Sequence, residues 1–274
     1  MNLSKKFITI GLVLLLLSWV ANIFLYEKHL LKKPIFIKHY YDIQIGMSNV
    51  QLYYIQNINS QEQVANIEFP ELGKEYVNFT DGDRNSDNRY YKLKCISVNF
   101  GNTEQNKVHD NLKNKVITKA KVTFTNGEVI NEDIGKIYLY CDNINSQTLT
   151  MGNATSSSDN TGFSTYRAIK DTKVTGLYTK FADIIGDVVS IRVNGKPLKD
   201  IEFPLELKAG DNLEISYGFK FNKNDIRRNN AFNITLDILT EDKEGIKGHN
   251  LYFMNYWLQF PDEYDIQVLK SDRR

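Results

Sequence analysis

Cysteine is nearly absent, with only Cys95 and Cys141 among 274 residues. That excludes a disulfide-dense small scaffold and a zinc site built from four cysteines of one chain. Histidine is scarce too, at four, and no His-x-x-x-His or Cys-x-x-Cys pair occurs. A zinc centre would therefore need ligands gathered from distant parts of the chain. Alanine occurs eight times against 29 asparagines, which argues against an Ala/Leu/Glu helical bundle and for strands joined by Asn-rich turns. Neither sign of charge is in excess: 34 basic residues meet 33 acidic ones, a balance unsuited to a nucleic-acid binder. Gly-rich phosphate loops are missing, and the sixteen glycines read as single turn residues.

Long apolar runs are also few, but one stands out. Residues Phe7–Tyr26 read FITIGLVLLLLSWVANIFLY without a single charge. As a helix rising ~1.5 Å per residue, that run spans about 30 Å, the thickness of a bilayer core. Lys5 and Lys6 precede it, as in a signal peptide, but the run exceeds the usual signal core and no clean small-residue cleavage site follows. Cutting after Ala21 would leave Trp19 three positions back. The expectation is a retained anchor, with residues 1–33 forming a cytoplasmic tail and a single pass through the bilayer at residues 7–26. Lys28, Lys32, Lys33 and Lys38 balance Lys5 and Lys6, so flanking charge does not set the orientation cleanly. A six-residue tail inside and an extracytoplasmic body is the expected arrangement in the cell membrane. Gly11, Ser18 and Asn22 fall within about 20° of one line down the helix. Small and polar residues on one face are what close helix packing in lipid uses, so another membrane protein is a candidate partner.

Residues 34–274 carry 29 basic and 32 acidic side chains, a net charge of −3 that favours no broad attraction to anionic polymers. From Phe36 onward alternation of period two recurs. Asn49–Ile58, Tyr90–Phe100 and Ile117–Phe124 read as strands, and Asn126-Gly127 supplies a hairpin turn. Asp142–Gly162, with GNATSSSDNTG at its centre, has too little apolar content to order itself and reads as a loop or linker. Strand patterning resumes at Phe163–Ile169, a second Asn-Gly turn lies at Asn194-Gly195, and Leu207–Phe221, Phe232–Leu239 and Asn250–Phe260 follow. Leu177, Phe181, Ile184 and Ile185 suggest one short helix stopped by Gly186. The fold class expected is mainly β: two immunoglobulin-like β-sandwich domains over 34–142 and 143–274 behind a transmembrane helix. The VNGKPL and LKAGDN turns resemble those of many immunoglobulin-like exported modules. Asn66–Pro70 (NIEFP) and Asp200–Pro204 (DIEFP) echo one another 134 positions apart, as a duplication would leave them.

Chemistry is thinly signalled. Cys95 and Cys141 lie in expected strands, share faces with apolar neighbours, and form a candidate disulfide between facing sheets outside the cytoplasm. Asp81, Asp83, Asn85 and Asp87 have the two-residue spacing of the first half of a calcium loop. The second half fails, with Ser86 where Gly is wanted and Lys92 where a bidentate Glu belongs. No cofactor is expected beyond that calcium candidate, and Glu128, Glu132 and Asp133 read as a charged outer face. Paired tyrosines at Tyr40-Tyr41, Tyr53-Tyr54 and Tyr90-Tyr91 put one ring on each face of a strand. Tyr138 and Tyr140 are expected to face out, opposite Leu139. With no catalytic signature, the expected role is non-enzymatic: an anchored binding protein of the cell envelope. An envelope glycan hydrolase and an accessory subunit of a membrane complex are the alternatives.

Overall fold

The computed structural model describes residues 3–46, 49–73, 77–100, 112–140 and 148–271. In chain order, α1 (Leu3–His29) leads to β1 (Ile35–Phe36), β2 (His39–Gln44), β3 (Asn49–Asn57) and β4 (Val64–Glu68). Then come β5 (Asn78–Asp87), β6 (Tyr91–Asn99), β7 (Val116–Phe124) and β8 (Val129–Tyr140). The second half holds β9 (Leu149–Ser156), β10 (Thr161–Ala168), β11 (Thr172–Tyr178) and α2 (Ala182–Ile185). It continues with β12 (Val189–Val193), β13 (Lys196–Pro197), β14 (Leu205–Leu207) and β15 (Asn212–Phe219). Last are β16 (Ala231–Asp242), β17 (Lys247–Tyr256) and α3 (Glu263–Ser271). The chain is mainly β, in several sheets, behind one apolar N-terminal helix long enough to cross a membrane.

Alternation assigns each strand's faces. In β3, Val50, Leu52 and Tyr54 are buried on one side, and Tyr54 meets Phe124 of β7 edge-on at 6.1 Å. The four-stranded sheet β1-β3-β6-β5 thereby packs on the β7–β8 end of a long sheet, forming the first core. The second core lies between the sheet β13-β12-β15-β10-β9 and the other end of the long sheet. A fully buried Leu, Ile or Phe in either core contributes roughly 1.5–3 kcal/mol.

The long sheet runs β14-β11-β16-β2-β8-β7-β4, with β17 on the remaining edge of β16. It passes through both halves, because Ala231–Asn233 of β16 pair in parallel with His39–Tyr41 of β2. The two halves are thus joined by a shared sheet. The segment read as a linker is partly strand, which corrects that expectation. Residues 149–156 form β9 and turn through Ser157–Asn160, where Asn160 has φ 66°, into β10. Seven of the eight β9 side chains are exposed, so backbone pairing with β10 supplies the order that side-chain burial does not. Residues 142–147 of that segment lie outside the described residues.

Both Asn-Gly turns are where the sequence puts them, but they differ. Asn194 and Gly195 both have positive φ, 48° and 77°, in the two-residue loop between β12 and β13. At the first turn only Gly127 is positive, at 85°, and the four residues 125–128 join β7 to β8, with the Phe124 amide donating to the Glu128 carbonyl at 2.9 Å. The short helix is present only as α2, stopped at Gly186; Phe181 is its N-cap, and Leu177, expected in the helix, lies in β11. The echoed pentapeptides take different structures: Asn66–Glu68 is strand in β4, whereas Asp200 closes a 3-10 turn ahead of β14.

The expected last strand ends at Tyr256, and α3 follows it unannounced. Asp262 caps α3 by accepting from the Asp265 amide at 2.9 Å. Ile266 of α3 is fully buried in the first core, so the C-terminal segment packs against the N-terminal half. Arg228, from the loop before β16, reaches the buried Asp265 at 2.5 Å and fixes the helix there.

Candidate binding cleft

Of the calcium candidate, Asp81, Asp83 and Asp87 lie on β5. β5 pairs with β6 from Asn78 to Asp83, and the register shifts between Asp83 and Asp87. Asp81 turns inward, accepting from the Tyr54 hydroxyl at 3.0 Å and the Val64 amide at 2.9 Å. Buried Lys94 stands 3.7 Å from Asp81 and 2.8 Å from Asp83, where a cation's charge would be. The bond from Lys94 holds the Asp83 carboxyl below its usual range. Asp87 is exposed, and the side chain of Asn85 lies outside the described residues. Among the described residues no three His, Cys, Asp or Glu side chains are placed to hold a metal.

Cys95 lies opposite Tyr53 in the β3–β6 register, on the face away from Ile96, and is half-buried. Burial raises its thiol to about 11, so it is a poor nucleophile at neutral pH. Cys141 lies outside the described residues, and with it the proposed bridge. Gly11, Ser18 and Asn22 all lie on α1, and among the described residues no side chain beyond the two chain neighbours comes within 4 Å of where a Cβ at Gly11 would lie.

Tyr138 and Tyr140 do point away from Leu139, but they are covered, which corrects the outward reading. Phe181 packs edge-on to Tyr138 at 5.3 Å, and the Lys180 ammonium lies 5.3 and 5.2 Å over the Tyr138 and Tyr140 rings. Lys180 also stands 3.4 Å from the buried Asp42, which accepts from the Thr235 amide and hydroxyl. That cluster binds the segment before α2 to the shared sheet.

The chemically best furnished surface lies where the halves meet. In register across β2, β16 and β17 run Tyr41, Asn233 and Asn255. They floor a cleft of about 290 Å³, walled by Asn49, Gln51, Tyr53 and Arg84 on one side and by Trp257 and Leu258 on the other. The Arg84 guanidinium sits 4.9 Å over the Tyr53 ring, and the Tyr53 hydroxyl donates to Gln51 Oε1 at 2.5 Å. Tyr41 donates to the Gln51 carbonyl at 2.9 Å. Burial raises both phenols, so both stay neutral donors. Trp257 is 47% exposed, and its backbone amide is held by Asn160 Oδ1 at 2.7 Å. The Asn233 Oδ1 atom is buried without a protein donor. No Asp, Glu, His or Cys is among the described lining residues.

Sequence reasoning noticed Tyr41 and Tyr53 only as members of tyrosine pairs and missed Arg84 and Trp257 as site residues. The tyrosine pairs were the one legible signal, and they mark Tyr41 and Tyr53 alone. Nothing local joins positions 84 and 257.

No family model matches this chain, and no curated protein matches it. Among solved structures, the YadV chaperone aligns over 80% of this chain and 98% of its own at 8% identity and a TM-score of 0.25. The D00–D0 domain of intimin covers 82% and 100% at 7% identity, with a TM-score of 0.23. Fibronectin(III)-like modules of Clostridium thermocellum CbhA cover 83% and 94% at 11% identity, with a TM-score of 0.20. Likenesses this loose define no family, and the functional reading rests on the chain's own geometry.

Proposed function

We propose that the protein is a single-pass, membrane-anchored binding protein of the cell envelope, with a β-sandwich body outside the membrane and the interdomain cleft as its ligand site. The cleft lining carries the reading. One flat exposed indole, an arginine-stacked tyrosine and a set of amides at Asn49, Gln51, Asn233 and Asn255 suit a carbohydrate ring, which offers an apolar face and a rim of hydroxyls. Arg84 adds one cation, which favours a sugar bearing a carboxylate or phosphate. Glycoside hydrolysis normally needs two carboxylates about the scissile bond, and the described lining offers none, which supports retention of the polymer over cleavage.

Retention of the anchor is supported by its attachment. Leu31 is buried, its amide and carbonyl both bonded to Asn57 at 2.9 Å, so the chain enters the body without a flexible spacer. The test is retention of the full chain on immobilised neutral, carboxylate-bearing and phosphate-bearing glycans. An anionic glycan should retain it and be recovered intact, and Trp257→Ala and Arg84→Ala should each weaken retention about tenfold or more. Depolymerised glycan would instead favour the hydrolase, and equal retention of both variants would remove the cleft from consideration.

A further inference from the structure

The helix α1 does not leave the body as a bare rod. Trp19, Asn22, Ile23, Tyr26 and Leu30 form one stripe along it, at spacings of three and four, over about 16 Å of axis. Facing that stripe are two turns of the body, Ile58-Asn59 after β3 and Arg89-Tyr90 before β6. The turns are locked to each other, since Ile58 N donates to the Tyr90 carbonyl at 2.8 Å and Lys92 reaches the Ser60 carbonyl at 2.7 Å. They are locked to the helix as well. Tyr90 stacks on His29 at 4.2 Å, Tyr91 donates to the His29 carbonyl at 2.5 Å, and Asn59 reaches the Tyr26 hydroxyl at 3.2 Å. Lys270 of α3 holds the Lys28 and Leu30 carbonyls from another side.

Between helix and turns lies an open groove of about 870 Å³ with a graded lining. The end farther from the body is Trp19, Ile23 and Leu25 with the amide of Asn22, exposed residues that all lie within the apolar run. Its mouth carries Arg89 and Glu27, one cation and one anion, neither of them ion-paired among the described residues. A groove that is apolar at acyl depth and bears two opposite charges at headgroup depth matches one amphiphile. We propose that it binds a single zwitterionic aminophospholipid, with the phosphodiester on Arg89, the headgroup amine on Glu27, and an acyl chain along Trp19 and Ile23. Asn22 then faces the glycerol ester region. A choline headgroup has no N–H to give Glu27, and a glycerol headgroup has no cation for it. The site rests on α1 being a retained anchor, as proposed above.

Trp19 and Trp257 are the only tryptophans, so Trp257→Phe leaves a reporter inside the groove. Full-length protein with that change is reconstituted in phosphatidylcholine bilayers containing a minor fraction of a lipid with brominated acyl chains, and quenching of Trp19 is measured. Brominated phosphatidylethanolamine should quench beyond random mixing, with an enrichment of about fivefold, the effect of roughly one charge contact at a membrane surface. Brominated phosphatidylcholine should quench at the random level. Glu27→Gln should return the ethanolamine lipid to random mixing, whereas Arg89→Gln, which removes a hold on the phosphodiester that both lipids carry, should leave its advantage over choline in place. Random mixing of every lipid, preference for brominated phosphatidylglycerol, or enrichment that survives Glu27→Gln would each overturn the proposal. A Trp19 left unquenched in a wholly brominated bilayer would instead overturn the anchor itself.

Discussion

His39 is fully buried, ringed by Tyr41 and Tyr53, with its Nε2 accepting from the Tyr53 amide at 2.8 Å. Its backbone is pressed by Gly135 of β8: a Cβ there would lie 2.4 Å from the His39 carbonyl oxygen, and φ is 95°, so only glycine fits. Burial pulls the imidazole from 6.5 down to about 3, outweighing an upward pull from the Ile134 backbone. The fold therefore refuses a proton that the unfolded chain accepts below pH 6.5. The stability this represents is fully present above pH 6.5 and is lost as pH falls from there toward 3, at up to roughly 1.4 kcal/mol per unit. Replacing His39 with Gln should lower stability at neutral pH and flatten its decline between pH 6 and 4 by about that slope. Denaturant titrations across that range check it, and an unchanged slope would mean His39 is charged in the folded protein. In the sequence this histidine stands out only as one of four. Its burial depends on β3 and β8 closing over β2, which no local pattern encodes.

At the scale of elements, legibility followed the range of the interaction responsible. The turns at Asn126-Gly127 and Asn194-Gly195 were readable because positive φ is a property of one or two residues. β9 was misread because an edge strand needs a neighbour's backbone and not an apolar face. α3 went unseen because its anchor points, the first core and Arg228, lie far away in sequence. Arg228→Ala would leave Asp265 buried without its cation, which should cost about 3 kcal/mol in the docking of this helix. Hydrogen exchange should then speed up across residues 263–271 while the β3–β6 amides keep their protection. Uniform loss of protection would show that α3 is not a separable element.

For the whole molecule the first quantity to measure is topology. Ser157 lies exposed in the turn between β9 and β10, so a cysteine there, with Cys95 and Cys141 changed to Ser, reports the side on which the body lies. A membrane-impermeant maleimide should label it on intact cells. Labelling only after lysis would put the body in the cytoplasm and end the envelope-glycan reading.

Taken alone, the sequence determined the apolar helix, the β class and most turns, because each depends on contiguous residues: an uncharged run of twenty, alternation of period two, Asn-Gly pairs. Only the tertiary structure decided that one sheet serves both halves, that Tyr138 and Tyr140 are covered, and that Arg84 and Trp257 flank a common cleft. The reason is chain separation. The parallel pairing of residues 39–41 with 231–233 closes a loop of nearly two hundred residues, and what closes it is the summed packing of two cores.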